Sequence, residues 1–156
     1  MLAIDIPGFG HLRLEHLVLD YNGTLAEDGK LLPGVAPLVR ALSDALNIHV
    51  VTADTFGRAV EEVAGLPLQL VVIGDSGQAE AKLALVRELG SSSVVAVGNG
   101  RNDRKMLGAV ALGIAVVQRE GAAQVALRNA DVVAPGIVEA LQLLQQPLRL
   151  AATLRA

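Results

Sequence analysis

Short apolar segments alternate with segments of helical periodicity along most of this chain, and this alternation restricts the folds open to it. Six runs have the composition of buried strands: His16–Asp20, Ile48–Val51, Leu68–Ile73, Val94–Val97, Gly113–Val117 and Asp131–Val133. Helices are predicted after Pro33-Gly34, over Thr55–Ala64, after Asp75, over Arg101–Val110, near Ala122–Arg128 and from Ile137. Strands that alternate with helices are joined by right-handed crossovers and form a mostly parallel sheet. The expected class is therefore α/β, with a parallel sheet sandwiched by helices.

The composition agrees with a sheet that is buried on both faces. Of the 156 residues, 52% are hydrophobic but only 2% are aromatic, so the core must be built from Val, Leu, Ile and Ala. The length is typical of one domain that buries a full core, and residues 1–156 are expected to form a single domain. An N-terminal β-hairpin should join Leu2–Ile6 to Leu12–Leu14, and a second, smaller hairpin should turn at Asp28-Gly29.

Several classes of function are disfavoured. The net charge is −3 without a Lys/Arg cluster, so no nucleic-acid partner is expected. The absence of cysteine excludes disulfides, thiolate metal sites and cysteine nucleophiles. No apolar run approaches the roughly 20 residues that span a bilayer, and the first residues do not resemble a signal peptide, so we expect a cytoplasmic protein without a membrane partner. His11, His16 and His49 lack the spacing of a metal site and are assigned structural roles.

Polar, glycine-bearing loops follow four of the predicted strands, at the edge where ligands of open α/β sheets bind. The loops contain Asp20-Tyr21-Asn22, Thr52-Ala53-Asp54, Gly74-Asp75-Ser76 and Gly98–Asp103. An exposed Asp fixed at the end of a buried strand can attack phosphorus or hold a metal ion, but an Asp in an ordinary Asp-Asn-Gly turn, which is a common feature, has the same pattern. Asp75 with Gln78 resembles a capping box, so that loop is assigned to helix capping.

These loops resemble the motifs of the haloacid dehalogenase-like superfamily of phosphotransferases. Asp20-Tyr21-Asn22-Gly23-Thr24 is similar to its Asp-x-Asp-Gly-Thr, Thr52 to its strand-ending Thr or Ser, Lys82 to its helix Lys, and Gly98-Asn99-Gly100-Arg101-Asn102-Asp103 to its Gly-Asp-Gly-x-Asn-Asp. The resemblance covers roughly residues 17–144 and is greatest to the phosphorylation domain of P-type cation-transporting ATPases. It implies a Rossmann-like fold.

The resemblance also implies a role for each motif residue. Asp20 would be the nucleophile that forms an aspartyl-phosphate, and Thr52 and Lys82 would assist it. The phosphoryl group would be held by Gly23, Thr24, Thr52, Ala53, Lys82 and Asn102. Mg²⁺ would be bound by Asp20, the backbone carbonyl of Asn22, Asn99 and Asp103, an oxygen set that suits this hard cation. On residue type alone, Lys82 is equally a solvated helix lysine, and Asp54 is equally a helix N-cap or a nucleotide contact.

Two residues depart from the motifs. Most phosphatases of the family have Asp at the position of Asn22, where it protonates the leaving group and then activates water. An amide can do neither, and general acid–base catalysis is worth about 10²–10⁴-fold. Asn99 stands where a metal-binding Asp is usual, so Mg²⁺ should bind more weakly than at a three-carboxylate site.

The loops between the motifs leave no room for a cap domain. Residues 25–51 accommodate only a hairpin, a helix and a strand, and residues 53–81 are equally short. A capless, open site suits a phosphorylated small molecule or macromolecule, or a homo-oligomer that covers the pocket, which the mean hydropathy of +0.47 favours. The expected function is a slow Mg²⁺-dependent phosphatase or phosphotransferase. The alternative is a catalytically impaired phosphate-binding or regulatory module.

Overall fold

The computed structural model describes residues 1–53 and 57–156. The strands are β1 (Leu2–Ile6), β2 (Gly10–Leu14), β3 (His16–Asp20), β4 (Ala26–Glu27), β5 (Lys30–Leu31), β6 (Asn47–Thr52), β7 (Gln69–Val72), β8 (Val94–Gly98), β9 (Leu112–Val116) and β10 (Val132–Ala134). The helices are α1 (Val35–Leu42), α2 (Arg58–Glu62), α3 (Gln78–Leu89), α4 (Arg104–Ala109), α5 (Gln124–Asn129), α6 (Ile137–Gln145) and α7 (Pro147–Leu154). Single 3₁₀ turns lie at Ser91–Ser93 and Arg101–Asp103.

The central sheet has six strands in the order β10-β9-β8-β3-β6-β7, and every neighbouring pair is parallel. The strand order reverses at β3, which lies between β6 and β8. The carboxyl ends of these strands therefore open at one edge, with a crevice at the reversal where ligands of such sheets bind. The predicted α/β class with a parallel sheet is confirmed.

Helices cover both faces of the sheet. Leu17 and Leu19 of β3 belong to a core that includes buried residues of α1 and α6, whereas Val18 points to the opposite core, which includes residues of α3 and α4. All three side chains are fully buried, and each such burial contributes about 1.5–3 kcal/mol. Because β3 is packed from both sides, the residue at its carboxyl end is held on a rigid element.

The two predicted hairpins are present. β1 pairs with β2, and β4 pairs with β5, both antiparallel. The C-terminal segment forms α6 and α7, with Pro147 as the first residue of α7. Leu150 of α7 is buried in the same core as Ile4 and Ile6 of the first hairpin, so this end of the chain is a packing element.

Some predicted details differ from the structure. The helix predicted after Gly34 is α1, which ends at Leu42. The capping box at Asp75 is wrong: Gly77 is the N-cap of α3, and Gln78 Nε2 donates to the Asp75 backbone carbonyl at 3.2 Å. Thr55, the first residue of another predicted helix, lies outside the described residues, and the described part of that helix is α2.

The histidines lie away from the carboxyl edge. His16, the first residue of β3, and His49 of β6 make a 3.2 Å hydrogen bond between Nδ1 and Nε2. His11 contacts Asp5 on the exposed first hairpin. None of the helices in the described ranges has the length and apolar character needed to cross a bilayer.

Candidate active site

Asp20 is the last residue of the central strand β3, and its side chain is held from two directions. Lys82 Nζ donates to Oδ1 over 2.7 Å, and Thr24 Oγ1 donates to Oδ2 over 3.1 Å. Only 6% of the residue is exposed. The carboxylate is therefore fixed at the carboxyl edge of the sheet, as predicted, beside the reversal of strand order that the structure adds.

Lys82 of α3 joins Asp20 to a second carboxylate. Its Nζ lies 2.7 Å from Asp103 Oδ1 as well as 2.7 Å from Asp20 Oδ1. Since both oxygens contact one nitrogen, they cannot be farther apart than twice that distance. Lys82 is 1% exposed, so it is a buried ion-pair residue and not a solvated helix lysine.

Asp103 is oriented by the loop that precedes it. Its Oδ2 accepts hydrogen bonds from the backbone amides of Asn99 at 3.0 Å and Gly100 at 2.9 Å. Gly98 allows this approach, because a Cβ at that position would lie 2.5 Å from Asp103 Cγ. The residue is fully buried, so the Gly98–Asp103 segment is folded around its own carboxylate.

The buried charges shift the pKa values of the site. Burial, followed by the nearby charge of Asp103, raises the pKa of Asp20 to about 7, although Lys82 and the Thr24 hydroxyl oppose the shift. Burial alone would lower the pKa of Lys82, but the carboxylates of Asp20 and Asp103 outweigh it and raise that pKa. Lys82 is therefore a permanent cation, while Asp20 exchanges a proton near neutral pH.

An open cleft of about 640 Å³ lies above this ion-pair cluster. Its lining includes most of the predicted site residues, namely Asp20, Asn22, Thr52, Ala53, Lys82, Asn99 and Asn102. Asp103 does not line the cleft; it lies beneath the surface, in contact with Lys82. Asp54 lies outside the described residues, so its predicted alternatives of helix cap and nucleotide contact stay predictions.

The loop after Asp20 divides its residues between the cleft and the interior. Asn22 is exposed and lines the cleft, so its amide can reach a bound molecule. Thr24 is fully buried, with its hydroxyl directed to Asp20 Oδ2 and, at 3.4 Å, to Asn99 Oδ1. Gly23 has φ of +78°, which favours glycine. Gly23 and Thr24, predicted phosphate-binding residues, do not line the cleft, and their contact with phosphate stays a prediction.

Asn99 makes contacts that differ from the predicted metal ligation. Its Nδ2 donates to the Gly121 carbonyl over 3.0 Å, and its Oδ1 faces the Thr24 hydroxyl. Both polar atoms of the amide are thus engaged with other loops. Asn99 thus connects these loops, and its predicted role as a metal ligand stays a prediction.

Asn102, predicted to contact phosphate, bonds across the cleft to the start of α3. Its Nδ2 donates to Gln78 Oε1 over 2.6 Å. Gln78 in turn is attached to the backbone carbonyl of Asp75. Asn102 therefore connects the loop that carries Asp103 to the helix that carries Lys82.

The chemistry of the donor set fits a divalent cation. Two buried carboxylates face one ammonium, so the cluster of Asp20, Asp103 and Lys82 has an excess negative charge. Nowhere in residues 1–53 and 57–156 do three or more His, Cys, Asp or Glu side chains form a group that could hold a metal ion. A hard cation here would rely on two carboxylates, a backbone carbonyl such as that of Asn22, and water, which is the ligand pattern that Mg²⁺ accepts.

The sequence analysis missed Gln118, which follows β9 at the same edge of the sheet. Its side chain bonds to the backbone of the loop after Asp20 and to the first residue of α6. The available signal was its position directly after a buried strand that ends beside β8. Residue type alone gave no reason to choose it.

Solved structures of known proteins share this architecture. A cobalt-bound deoxy-D-mannose-octulosonate 8-phosphate phosphatase from Haemophilus influenzae has a TM-score of 0.72 at 15% identity, covering 92% of this chain and 94% of that one. The corresponding phosphatase from Moraxella catarrhalis, in complex with magnesium, phosphate and KDO, has a TM-score of 0.71 at 14% identity, covering 85% and 86%. BT1666 from Bacteroides thetaiotaomicron, a phosphatase of the haloalkanoate (HAD) enzyme superfamily, has a TM-score of 0.62 at 12% identity, covering 90% of this chain and 96% of that one.

The chain has the haloacid dehalogenase fold. It is also 39% identical over 79 residues to the uncharacterized protein MJ0073 of Methanocaldococcus jannaschii, a match that spans 48% of this chain and 85% of MJ0073. The chain therefore belongs to the same family as MJ0073. A scan against protein-family models found no match. These comparisons do not address the likeness to P-type ATPases, which stays a prediction.

Proposed function

We propose that this protein is a phosphatase or phosphotransferase that works through an aspartyl-phosphate on Asp20 and requires Mg²⁺. The observation that carries the proposal is the placement of the Asp20 and Asp103 carboxylates on one buried ammonium, at the floor of an open cleft. Asp20 has the position a nucleophile needs, at the end of a rigid central strand. The solved phosphatases with this fold, two of which were crystallised with Mg²⁺ or cobalt, support the proposal.

In the first step, a carboxylate oxygen of Asp20 attacks the phosphorus of a phosphate ester. The phosphorus–oxygen bond to the leaving alcohol breaks, and that alcohol takes its proton from water. In the second step, water attacks phosphorus and the bond to Asp20 breaks, which releases inorganic phosphate and restores the carboxylate. If an alcohol replaces water, the same step is phosphoryl transfer.

The residues around Asp20 have separate tasks in this reaction. Lys82 offsets negative charge on Asp20 and on the incoming phosphoryl oxygens, and Thr24 orients the nucleophile through Oδ2. Thr52 and Ala53 line the cleft where the phosphoryl group would lie. Mg²⁺, held by Asp20, Asp103 and the Asn22 carbonyl, would supply the positive charge that in-line transfer requires.

Asn22 makes the proposed enzyme slow. Its exposed amide lines the cleft beside Asp20 but cannot donate or accept a proton as an acid or base does. The leaving group and the attacking water therefore depend on solvent. The open cleft admits that solvent, and it accepts either a phosphorylated small molecule or a phosphate carried by a macromolecule.

Turnover of p-nitrophenyl phosphate and labelling by acetyl phosphate, each with Mg²⁺, test the proposal. We expect slow Mg²⁺-dependent hydrolysis that Asp20→Asn abolishes, and an acyl-phosphate label that the same variant lacks. Asn22→Asp should raise hydrolysis by about 10²-fold or more. Absence of both turnover and label in the wild type would refute the proposal.

Asn22 also favours a second candidate, a phosphate-binding or regulatory module that retains the fold without turnover. In that case inorganic phosphate should bind the wild type while neither hydrolysis nor labelling is detected. Stable labelling without turnover would instead identify a phospho-acceptor.

A further inference from the structure

Gln118 bonds to three backbone groups from two distant parts of the chain. Its Nε2 donates to the carbonyl oxygens of Gly23 at 3.1 Å and Thr24 at 2.9 Å. Its Oε1 accepts from the backbone amide of Ile137, the first residue of α6, at 2.9 Å. One half-buried side chain thus connects the loop after the nucleophile to the start of a packed helix.

The loop that carries Gln118 also holds the second carboxylate loop. We call residues 117–123 the brace loop. The Gly121 carbonyl accepts from Asn99 Nδ2 at 3.0 Å, and the Ala123 amide donates to the Asn99 carbonyl at 2.8 Å. Within the brace loop, the Gly121 amide donates to the Gln118 carbonyl at 2.9 Å. The brace loop therefore contacts the segment that follows Asp20 and the segment that precedes Asp103.

The three bonds require an amide at position 118. Two carbonyl oxygens need two N–H donors on one atom, while the Ile137 amide needs an acceptor on the other. A Glu would keep the acceptor but set a carboxylate oxygen against two carbonyls, and a Met would supply neither partner. Glutamine has this donor and acceptor pair together with the length to reach both elements.

We propose that Gln118 is a positioning residue, which fixes the segment Asn22–Thr24 so that Asp20 and the Asn22 carbonyl keep one arrangement. The expected effect on rate rests on the phosphoryl transfer proposed above. The attachment of Gly23 and Thr24 to Ile137 through Gln118, here called the clamp, is a property of the protein without substrate. Gly23 at φ of +78° has wide conformational freedom, and bonds such as that from its amide to the Ala26 carbonyl lie within the same loop, so an attachment to another element adds to the order of this segment. The first turn of α6 supplies this attachment, because Ile137, Ala140 and Leu141 are buried in the core.

The variants Gln118→Met and Gln118→Glu test the clamp, with Gln142→Met as the matched control. Gln142 is a partly buried glutamine of α6 for which the described part of the chain shows no side-chain hydrogen bond. Amide hydrogen exchange over residues 20–26, without added metal, should speed up by about tenfold in both Gln118 variants and remain unchanged in Gln142→Met. Gln118→Glu keeps the acceptor for Ile137, so exchange at the start of α6 should rise only in Gln118→Met.

Turnover of p-nitrophenyl phosphate is measured on the same variants, per folded molecule. We expect kcat to fall by about tenfold or more with KM changed much less, because a displaced nucleophile affects the reaction more than binding. Unchanged exchange over residues 20–26 would overturn the clamp, and unchanged kcat in variants with faster exchange would overturn its role in positioning. If the wild type has no turnover, the proposed function fails while the exchange result still decides whether the clamp exists.

Discussion

Asn99 donates its side-chain amide to the backbone carbonyl of Gly121 over 3.0 Å, and this bond explains why an amide suits the position. A carboxylate there would keep the acceptor that faces the Thr24 hydroxyl but would direct its other oxygen at a carbonyl oxygen. Only 8% of Asn99 is exposed, so water cannot easily relieve that contact. The side-chain amide of Asn99 therefore matches the Gly121 carbonyl of the brace loop better than a carboxylate would.

Asn99→Asp should therefore destabilise the protein in metal-free buffer. We expect the free energy of unfolding to fall by about 1–3 kcal/mol, since a buried carbonyl loses its donor and faces a negative charge. Urea denaturation with EDTA measures it. Asn129→Asp is the control, because Asn129 also donates Nδ2 to a backbone carbonyl, that of Val125, but on an exposed surface. Equal losses in the two variants would contradict the argument.

The sequence predicted the site better at its charged residues than at its amides. Asp20, Lys82 and Asp103 form one cluster, as the order of the motifs on a parallel sheet required. The contacts of Asn99, Asn102 and Gln118 could not be predicted in the same way. An amide can donate or accept, so its partner depends on which backbone groups a loop turns toward it, and no periodicity records that.

Backbone conformation explains why the predicted capping box at Asp75 is wrong. The Asp75–Gln78 pattern suggested a side-chain cap, yet Gly77 at φ of +66° begins α3 and leaves Asp75 to supply its carbonyl. Gly77 can adopt this conformation at no steric cost, so a glycine next to a capping pattern makes the predicted start of a helix uncertain by a few residues.

Among these single substitutions, Lys82→Met should lower the free energy of unfolding most. The variant leaves the Asp20 and Asp103 carboxylates buried without a counter-ion, which we expect to cost about 3–5 kcal/mol at pH 8. The loss should shrink as pH falls, because protonation of Asp20, whose pKa is raised, removes one of the two unpaired charges. Urea denaturation at pH 5 and pH 8 measures both effects.

The control for that variant is Lys105→Met, which removes an exposed lysine that pairs with Glu80 at 2.6 Å. Solvent screens a surface pair of this kind, so little change is expected at either pH. A cost for Lys82→Met that is small, or is the same at both pH values, would argue against the ion-pair cluster.

Asp20 should make the metal-free protein less stable as pH rises. Its pKa is about 7 in the folded state against 3.8 for an unperturbed Asp side chain, so the folded state binds more protons than the unfolded state between those limits. Stability from this group is therefore highest below pH 4, falls as pH rises toward 7 and then levels off. At about 1.4 kcal/mol per unit of pKa, the total amounts to a few kcal/mol.

The variant Asp20→Asn should flatten that profile and be more stable than the wild type at pH 8, although it lacks the proposed nucleophile. Chemical denaturation in EDTA from pH 4 to 8 measures the slope. Asp75→Asn removes an exposed carboxylate from the same cleft and should leave the slope as it is in the wild type. If stability falls as steeply with pH in Asp20→Asn as in the wild type, burial does not raise the pKa of Asp20.

Gly98 should be replaceable only at the expense of the Asp103 carboxylate. A Cβ at position 98 would lie 2.5 Å from Asp103 Cγ, which is too close, so Gly98→Ala must displace that side chain from Lys82 and from the amides that hold it. We expect a destabilisation of about 1–3 kcal/mol and loss of the proposed turnover.

Gly74→Ala is the matched control at the same edge of the sheet. Its Cβ would meet only the Ser76 carbonyl oxygen, at 3.9 Å, and its φ lies outside the positive range. Because Ala restricts the unfolded chain more than Gly does, Gly74→Ala should be neutral or slightly stabilising. Thermal unfolding and p-nitrophenyl phosphate turnover of both variants separate the steric effect at Asp103 from the general effect of adding a methyl group, and a Gly98→Ala protein that retains wild-type stability would show that Asp103 is not held as tightly as these distances require.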